Sequence, residues 1–156
     1  MEVGQSLEEL RQNGYVIFHD IVAGDFNVDH VIIAPNGIFA VETKTWRKPA
    51  KGEVVFDGEK VTLTGQQPNP EPIQQVRANS KWLHDELRAG TGRVYRVTPV
   101  VVFPGWYVTN TKETTDVWVL NPKQLPWKIA QESRVLGQKD MQSIVYFLSR
   151  YIRNVG

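Results

Sequence analysis

The chain has 156 residues, of which 41% are hydrophobic, with a formal net charge of +1 and no cysteine. The lack of cysteine excludes disulfides, thiolate zinc sites and thiol nucleophiles, and the near-neutral charge means that any basic surface must be local. No apolar run approaches the ~20 residues of a membrane span and no signal peptide is evident, which predicts a cytoplasmic protein. The length suits one domain over residues 1–156.

The first elements are predicted by apolar spacing and by turn residues. Apolar residues at helical spacing ahead of Asn13-Gly14 predict a helix over residues 3–12. The β-branched and aromatic run at residues 15–18 predicts a strand, and Gly24-Asp25 predicts the turn that precedes the next strand.

The stretch from Asn27 to Trp46 predicts a β-hairpin. Two apolar, β-branched runs flank Asn36-Gly37, a dipeptide that favours a two-residue type I′ turn because both of its positions tolerate a positive φ. With these two residues as the loop, each residue of the first strand faces a defined residue of the second. The facing pairs are Pro35 with Ile38, Ile33 with Ala40, Val31 with Glu42, and Asp29 with Lys44.

One face of this hairpin collects charge at its open end. Side chains alternate along a strand, so Asp29, Glu42 and Lys44 share a face, with the two carboxylates diagonal neighbours at roughly 7–8 Å. The turn end of the same face is apolar, which predicts a half-buried site. A buried carboxylate pair needs compensation, and one lysine neutralises only half of it, so a divalent metal would balance the charge. The alternative is a solvated outer face of an ordinary hairpin.

A basic loop and a second hairpin follow. Arg47, Lys48 and Lys51 leave the sheet close to Lys44 and form either a solvated connection or a contact surface for phosphates. Strands over residues 53–56 and 60–64 flank Asp57-Gly58, which predicts the hairpin.

A helix is predicted over residues 73–88, after a proline-containing segment that excludes helix. Its apolar stripe adjoins a more polar face that begins with Gln75, and Arg77 and Lys81 extend a candidate basic surface for nucleic acid. The stripe comprises Ile73, Val76, Ser80, Leu83 and Leu87, and the adjoining face comprises Gln75, Asn79, Trp82 and Glu86.

The C-terminal third completes an α/β pattern. The continuous β-branched run at residues 97–103 predicts a strand covered on both faces, residues 106–115 a polar loop, residues 116–120 another strand, and residues 138–153 an amphipathic helix. The order predicts one α/β domain with a mixed central β-sheet flanked by helices.

The segment VDHVIIAPNGIFAVETKTW, followed by NPEPIQQVRANSKWL, resembles the nuclease-related domain (NERD) family of the restriction-endonuclease-like nucleases over roughly residues 3–103. Asp29 and Glu42-Thr43-Lys44 match the D…(D/E)xK signature, and Gln75 matches the glutamine after the N-P motif. The resemblance implies a restriction-endonuclease-like fold and a metal-dependent nuclease. It also places a glutamate in the first helix, for which Glu2 is the candidate after a register shift.

In the activity that the resemblance implies, Asp29 and Glu42 hold Mg²⁺ or Mn²⁺, with the carbonyl of Thr43 as a further ligand. Lys44 orients or activates the attacking water, and Gln75 contacts phosphate or water. The expected partner is nucleic acid, most simply DNA, with no membrane, and a homodimer would present two sites to two strands. The alternative is a binding module that keeps the fold without cleavage.

Overall fold

Two β-sheets and four α-helices make up the part of the chain that the structure describes. This computed structural model covers residues 2–12, 14–47, 51–112 and 115–155, with backbone alone for residues 2–6 and 155. The helices are α1 (Glu2–Gln12), α2 (Glu71–Thr91), α3 (Leu125–Ala130) and α4 (Gln138–Val155), with a short 3₁₀ helix at Pro122–Gln124. The strands are β1 (Val16–Ala23), β2 (Phe26–Ala34), β3 (Gly37–Thr43), β4 (Glu53–Phe56), β5 (Val61–Leu63), β6 (Val97–Val102), β7 (Tyr107–Asn110) and β8 (Trp118–Leu120).

The larger sheet is mixed, as predicted, with five strands in the order β1-β2-β3-β6-β8. Tight turns join β1, β2 and β3, which therefore pair antiparallel. Strand β6 lies parallel to β3, and β8 lies parallel to β6. A parallel neighbour requires a crossover connection, and α2 lies in the connection from β3 to β6. Strand β3 is the middle strand, and the chain passes through β4, β5 and α2 before it returns as β6.

Helices cover both faces of this sheet. On one face Val31 and Ala40 pack in a core with residues of α2 and α4, including Leu83 and Ile144. On the other face Ile32, Ala34, Phe39 and Val41 pack with Leu7 and Leu10 of α1 and Ile129 of α3. The structure confirms the predicted α/β domain with a mixed sheet flanked by helices. No helix among the described residues is long and apolar enough to span a membrane.

The register of the central hairpin differs from the predicted one by two residues. Ala34 pairs with Gly37, so Pro35 and Asn36 form the loop, and among the described residues Asp20 is the only non-glycine with a positive φ. A type I′ turn at Asn36-Gly37 is thereby excluded. Proline at the second position and glycine at the fourth position of the turn are the preferences of a type I turn. Pro35 O also accepts from the N–H groups of Val135 and Leu136, which fixes the loop from outside.

This shift leaves the predicted faces intact, because a slip of two residues preserves the alternation of side chains. It does change which residues are opposite each other. Val31 faces Ala40, and His30 faces Val41 in the last pair of the ladder. Continued by one residue, the register sets Asp29 opposite Glu42 rather than Lys44.

The smaller sheet has the order β5-β4-β7. Its β4–β5 hairpin at Asp57-Gly58 is confirmed, whereas the prediction of a loop over residues 106–115 is wrong because β7 pairs parallel with β4. Strand β7 is polar and mostly exposed, so it lacks the apolar alternation that reveals a strand. The six-residue α3 also went unpredicted, since it is too short for a helical repeat. The helices predicted over residues 3–12, 73–88 and 138–153 are confirmed as α1, α2 and α4.

Candidate metal and nucleic-acid site

The candidate site is built by Asp29 of β2, Glu42 near the end of β3, Lys44 just after β3, and two residues of α2. Asn79 Nδ2 donates to Glu42 Oε2 over 2.9 Å, and Lys44 Nζ donates to Gln75 Oε1 over 2.9 Å. Two residues along a strand span about 6.6 Å and four residues along a helix about 6 Å. The spacing of Glu42 and Lys44 therefore matches that of Asn79 and Gln75, and each of the first two side chains meets one amide of α2.

Glu42 is the buried acid of this site, with an exposed fraction of 6%. Its burial, followed by a side-chain hydrogen bond with Asp29 and the charge of that residue, raises the pKa of Glu42 to about 7. The charge of Lys44 and the hydrogen bond from Asn79 act in the opposite direction and offset part of this rise. Glu42 and Asp29 thus form a carboxyl pair that holds a proton more readily than two separate carboxylates would.

Asp29 lies where the β2–β3 ladder ends. Its Oδ2 accepts from the backbone N–H of Thr43 over 3.0 Å, one residue beyond Glu42. The carboxylate therefore takes the place of a carbonyl of the paired strand and is held beside the end of β3. Asp29 is half-buried, which leaves it open to solvent on one side.

Lys44 follows the last residue of β3 and remains tied to the sheet, since its backbone N–H donates to Val102 O over 2.9 Å. Its Nζ lies 5.9 Å from the centre of the Trp46 ring, a cation–π distance. Trp46 in turn packs edge-on against Phe103. The lysine is thus held from one side by Gln75 and from the other by an aromatic ring.

The cations predicted to contact nucleic acid fall into two groups. Arg47 and Lys51 are exposed, and Lys48 between them lies outside the described residues. Arg77 is engaged within the protein: it donates to both oxygens of Asp116 at 2.8 and 2.9 Å and to Glu59 at 3.1 Å. Lys81 forms an ion pair with Asp85 over 3.0 Å.

These contacts around Arg77 join α2 to the second hairpin and to the segment that leads into β8. The carboxyl groups of Asp29 and Glu42, by contrast, lie together at the end of β3, where Glu42 meets the amide of Asn79. The structure therefore brings Asp29, Glu42, Lys44 and Gln75 into one cluster and leaves Arg77 and Lys81 outside it, each paired with an acidic residue.

The donor chemistry of the cluster suits a hard divalent cation. Among the described residues no group of three or more His, Cys, Asp or Glu is close enough to hold a metal ion, and the side chain of Glu2 lies outside them. Mg²⁺ is commonly held by one or two carboxylates, with water and substrate phosphate completing its shell. Asp29 and Glu42 fit that pattern, because they offer two carboxylates that together lack a full counter-charge.

Asn79 is a residue of the site that was not predicted from the sequence. This residue is 2% exposed and is one of three buried polar or charged residues in the described part of the chain. The sequence does show that Asn79 shares a helix face with Gln75, because the two residues are four positions apart. What was missing was the partner, because Glu42 lies 37 residues earlier in the chain.

The fold and this cluster together define an α/β domain of the nuclease-like class. The model of the nuclease-related domain (NERD) family matches residues 1–104, and the chain belongs to that family. The match confirms the resemblance and its extent. Searches of curated proteins and of solved structures found no match.

Proposed function

We propose that this protein is a metal-dependent nuclease that hydrolyses phosphodiester bonds of DNA or RNA. The observation that carries the proposal is the burial of Glu42 beside Asp29 at the end of the central strand. A buried carboxyl pair destabilises a fold unless a cation compensates it. A bound metal ion would supply that compensation at the open end of the hairpin. Membership of the nuclease-related family supports the same activity.

Asp29 and Glu42 would hold Mg²⁺ or Mn²⁺. When bound there, such an ion would supply a lowered pKa for a coordinated water and charge stabilisation at the phosphodiester. The carbonyl of Thr43 is the third proposed ligand. Its N–H points to Asp29, and because the N–H and C=O of a strand residue point to the same side, its carbonyl faces the Asp29 side as well.

Lys44 is proposed to orient the attacking water or to stabilise the developing negative charge. An ammonium group has three donors, and one of them is directed to Gln75 Oε1, which leaves two for the water and a phosphate oxygen. Gln75 then acts by holding the lysine, and its own NH₂ group is available to a phosphate oxygen.

Phosphate approach is proposed to follow the exposed cations beside the site. Arg47 and Lys51 are exposed, and with Lys48 they follow Lys44 and Trp46 in the sequence. Three positive charges therefore lie within a few residues of Lys44 in the sequence. Arg77 and Lys81, predicted as further contacts, are paired with acidic residues, so the loop cations are proposed to make the first phosphate contacts. Phosphate contacts of this kind position a nucleic acid without reading its sequence.

The test combines cleavage with metal binding. Labelled linear, nicked, branched and single-stranded DNA, and RNA, are incubated with Mg²⁺ or Mn²⁺ and the wild type, Asp29→Asn or Lys44→Met. Metal-dependent products that disappear in both variants are expected. Asp25→Asn, in the exposed β1–β2 turn, and Lys139→Met, on the exposed face of α4, are the matched controls and should cleave as the wild type does.

Calorimetric titration with Mn²⁺ separates the components of the proposal. Binding in the wild type and in Lys44→Met, but not in Asp29→Asn, would support the carboxyl pair as the metal site. If no substrate is cut and no Mn²⁺ is bound, the nuclease proposal fails and a nucleic-acid or protein binding module on the same fold takes its place.

A further inference from the structure

A pocket with a volume of about 420 Å³ lies beside the β6–β7 turn. The turn runs from Phe103 to Trp106, where Trp106 N–H donates to Phe103 O over 3.2 Å and Gly105 has a φ of 82°. Proline and glycine at its two central positions suit a type II turn. Its lining includes Trp106, Tyr107, Asn121, Lys123 and Gln124.

Tyr107, the first residue after this turn, points its aromatic side chain to solvent. It is 78% exposed, whereas its neighbour Trp106 is 1% exposed, because successive side chains of a strand point to opposite faces. The backbone beneath Tyr107 is fixed, since Tyr107 N–H donates to Gly52 O and the residue pairs with Glu53. A rigid strand thus presents one tyrosine ring to solvent at the mouth of the pocket.

The pocket is linked to the candidate site through two aromatic residues. Trp106 Nε1 donates to the backbone carbonyl of Trp46 over 3.3 Å, and the Trp46 ring contacts the ammonium group of Lys44. Two aromatic residues therefore connect Lys44 to Tyr107. The exposed Lys51 precedes Gly52, the residue to which the Tyr107 backbone is bonded.

The polar lining of the pocket suits the edge of a base. Asn121 is fixed by its own bonds, donating from Nδ2 to Trp106 O over 2.9 Å and accepting from Lys123 N–H. Gln124 accepts from Asn121 N–H through Oε1, and its NH₂ group donates to no group in the described part of the chain. An unpaired nucleotide requires a ring to stack on, a partner for the edge of its base and a positive charge for its phosphate. Tyr107 offers the ring, the amide of Gln124 the donor, and the exposed Lys51 the charge.

We infer that the Tyr107 pocket binds an unpaired nucleobase of the substrate strand, so that the substrate class is single-stranded or locally unpaired nucleic acid. The inference rests on the proposed function for the identity of the polymer. It deepens that function, because Trp106 and Trp46 link the pocket to Lys44, so a base held in the pocket would belong to the same strand as the phosphodiester at the carboxyl pair. A fully paired duplex has no base free to enter the pocket.

The test measures binding without divalent metal, so that cleavage plays no part. Fluorescence anisotropy follows an end-labelled oligothymidylate, the same strand with abasic residues, and a matching duplex. Wild type is compared with Tyr107→Ala and Tyr107→Phe. The control is Tyr146→Ala, which removes another exposed tyrosine, on α4 at 63% exposure.

Tyr107→Ala is expected to weaken oligothymidylate binding roughly 10-fold, as the loss of one base–aromatic stack predicts. Tyr107→Phe and Tyr146→Ala should bind close to the wild-type affinity. The abasic strand should bind the wild type as weakly as the normal strand binds Tyr107→Ala, and that variant should not discriminate between the two strands.

The inference is overturned if Tyr107→Ala binds oligothymidylate as the wild type does, or if it loses equal affinity for the normal and abasic strands. Its failure is distinguishable from failure of the nuclease proposal by a parallel cleavage assay. Metal-dependent cutting with no effect of Tyr107 would refute the pocket alone. Base-dependent binding with neither cutting nor Mn²⁺ binding would support the pocket and refute the nuclease.

Discussion

The side-chain amide of Asn79 donates to Glu42 Oε2 over 2.9 Å, and these residues are 2% and 6% exposed. The bond lies in the interior, where an acceptor that loses its donor costs about 1–3 kcal/mol. It also favours the ionised form of Glu42, since it lowers a pKa that burial and Asp29 raise. Asn79 is therefore expected to support both the stability of the fold and the ability of Glu42 to receive a cation.

Asn79→Ala should reduce the free energy of unfolding by about 1–3 kcal/mol and raise the pKa of Glu42 above its wild-type value. Urea denaturation measures the first effect, and Mn²⁺ titration at several pH values measures the second, with weaker binding near neutral pH. Asn154→Ala makes the same change at an exposed position of α4 and should leave the two quantities unchanged. Wild-type Mn²⁺ affinity in Asn79→Ala would contradict the proposed role.

The metal-free protein should lose stability as the pH rises from about 4.5 to about 7. The pKa of Glu42 is 4.5 in the unfolded chain and about 7 in the folded protein. Between these values the folded state binds the additional proton, so stability falls as the pH rises. Above about pH 7 the loss is complete and amounts to at most about 3 kcal/mol.

Glu42→Gln provides the comparison, because a neutral side chain of similar shape does not titrate. Thermal unfolding in the presence of a chelator should show Glu42→Gln gaining stability relative to wild type as the pH increases through this window. Glu8→Gln, at an exposed position of α1, should give a constant difference. A Glu42→Gln difference that is also independent of pH would show that the Glu42 pKa is not raised.

Gln75→Ala should lower the rate of cleavage more than it lowers substrate affinity. Gln75 Oε1 holds the Lys44 ammonium group over 2.9 Å, so its removal leaves the lysine with more freedom at the moment when it must meet the attacking water. Steady-state kinetics should show a reduced kcat with a smaller change in KM. Gln74→Ala changes the adjacent, exposed glutamine and should behave as the wild type does; equal effects of the two substitutions would refute a specific role for Gln75.

Arg77→Ala should destabilise the protein by about 1 kcal/mol, because its guanidinium bridges Asp116 and Glu59 and a two-pronged pair within a network exceeds an isolated surface pair. Lys81→Ala removes a single exposed pair with Asp85 and should cost no more than about 0.5 kcal/mol. Chemical denaturation of the two variants makes the comparison. Equal losses would indicate that the Arg77 bridge contributes no more than an ordinary surface pair.

Arg47→Ala and Lys51→Ala should each weaken nucleic-acid binding across sequences and reduce the slope of log affinity against log salt concentration by about 1. The expectation follows from their exposure beside the site. Titrations at several salt concentrations measure the slope, with Lys139→Ala as the control on α4. An unchanged slope in the two loop variants would place the phosphate path elsewhere.

The central hairpin illustrates how local signals succeed and fail. Alternation placed Asp29 and Glu42 on one face, and this survived an error in the loop because the slip was by two residues. Asn36-Gly37 favours a type I′ turn, but the preceding Pro35 favours a type I turn one residue earlier, because its fixed φ suits the second position of that turn. Contacts from distant residues then hold the loop, among them the bond from Asn36 Nδ2 to Glu132 O over 2.7 Å.

The mixed α/β class, the family and the shared face of Asp29 and Glu42 could all be predicted from the sequence, since they depend on periodicity and on short motifs. Three relationships could not: Asn79 meets Glu42, the polar strand β7 joins β4, and Tyr107 is exposed beside the buried Trp106. These relationships join residues far apart in the chain, and they arise from how helices and strands pack. Periodicity identifies the face that an element buries, whereas packing alone determines which side chain it meets there.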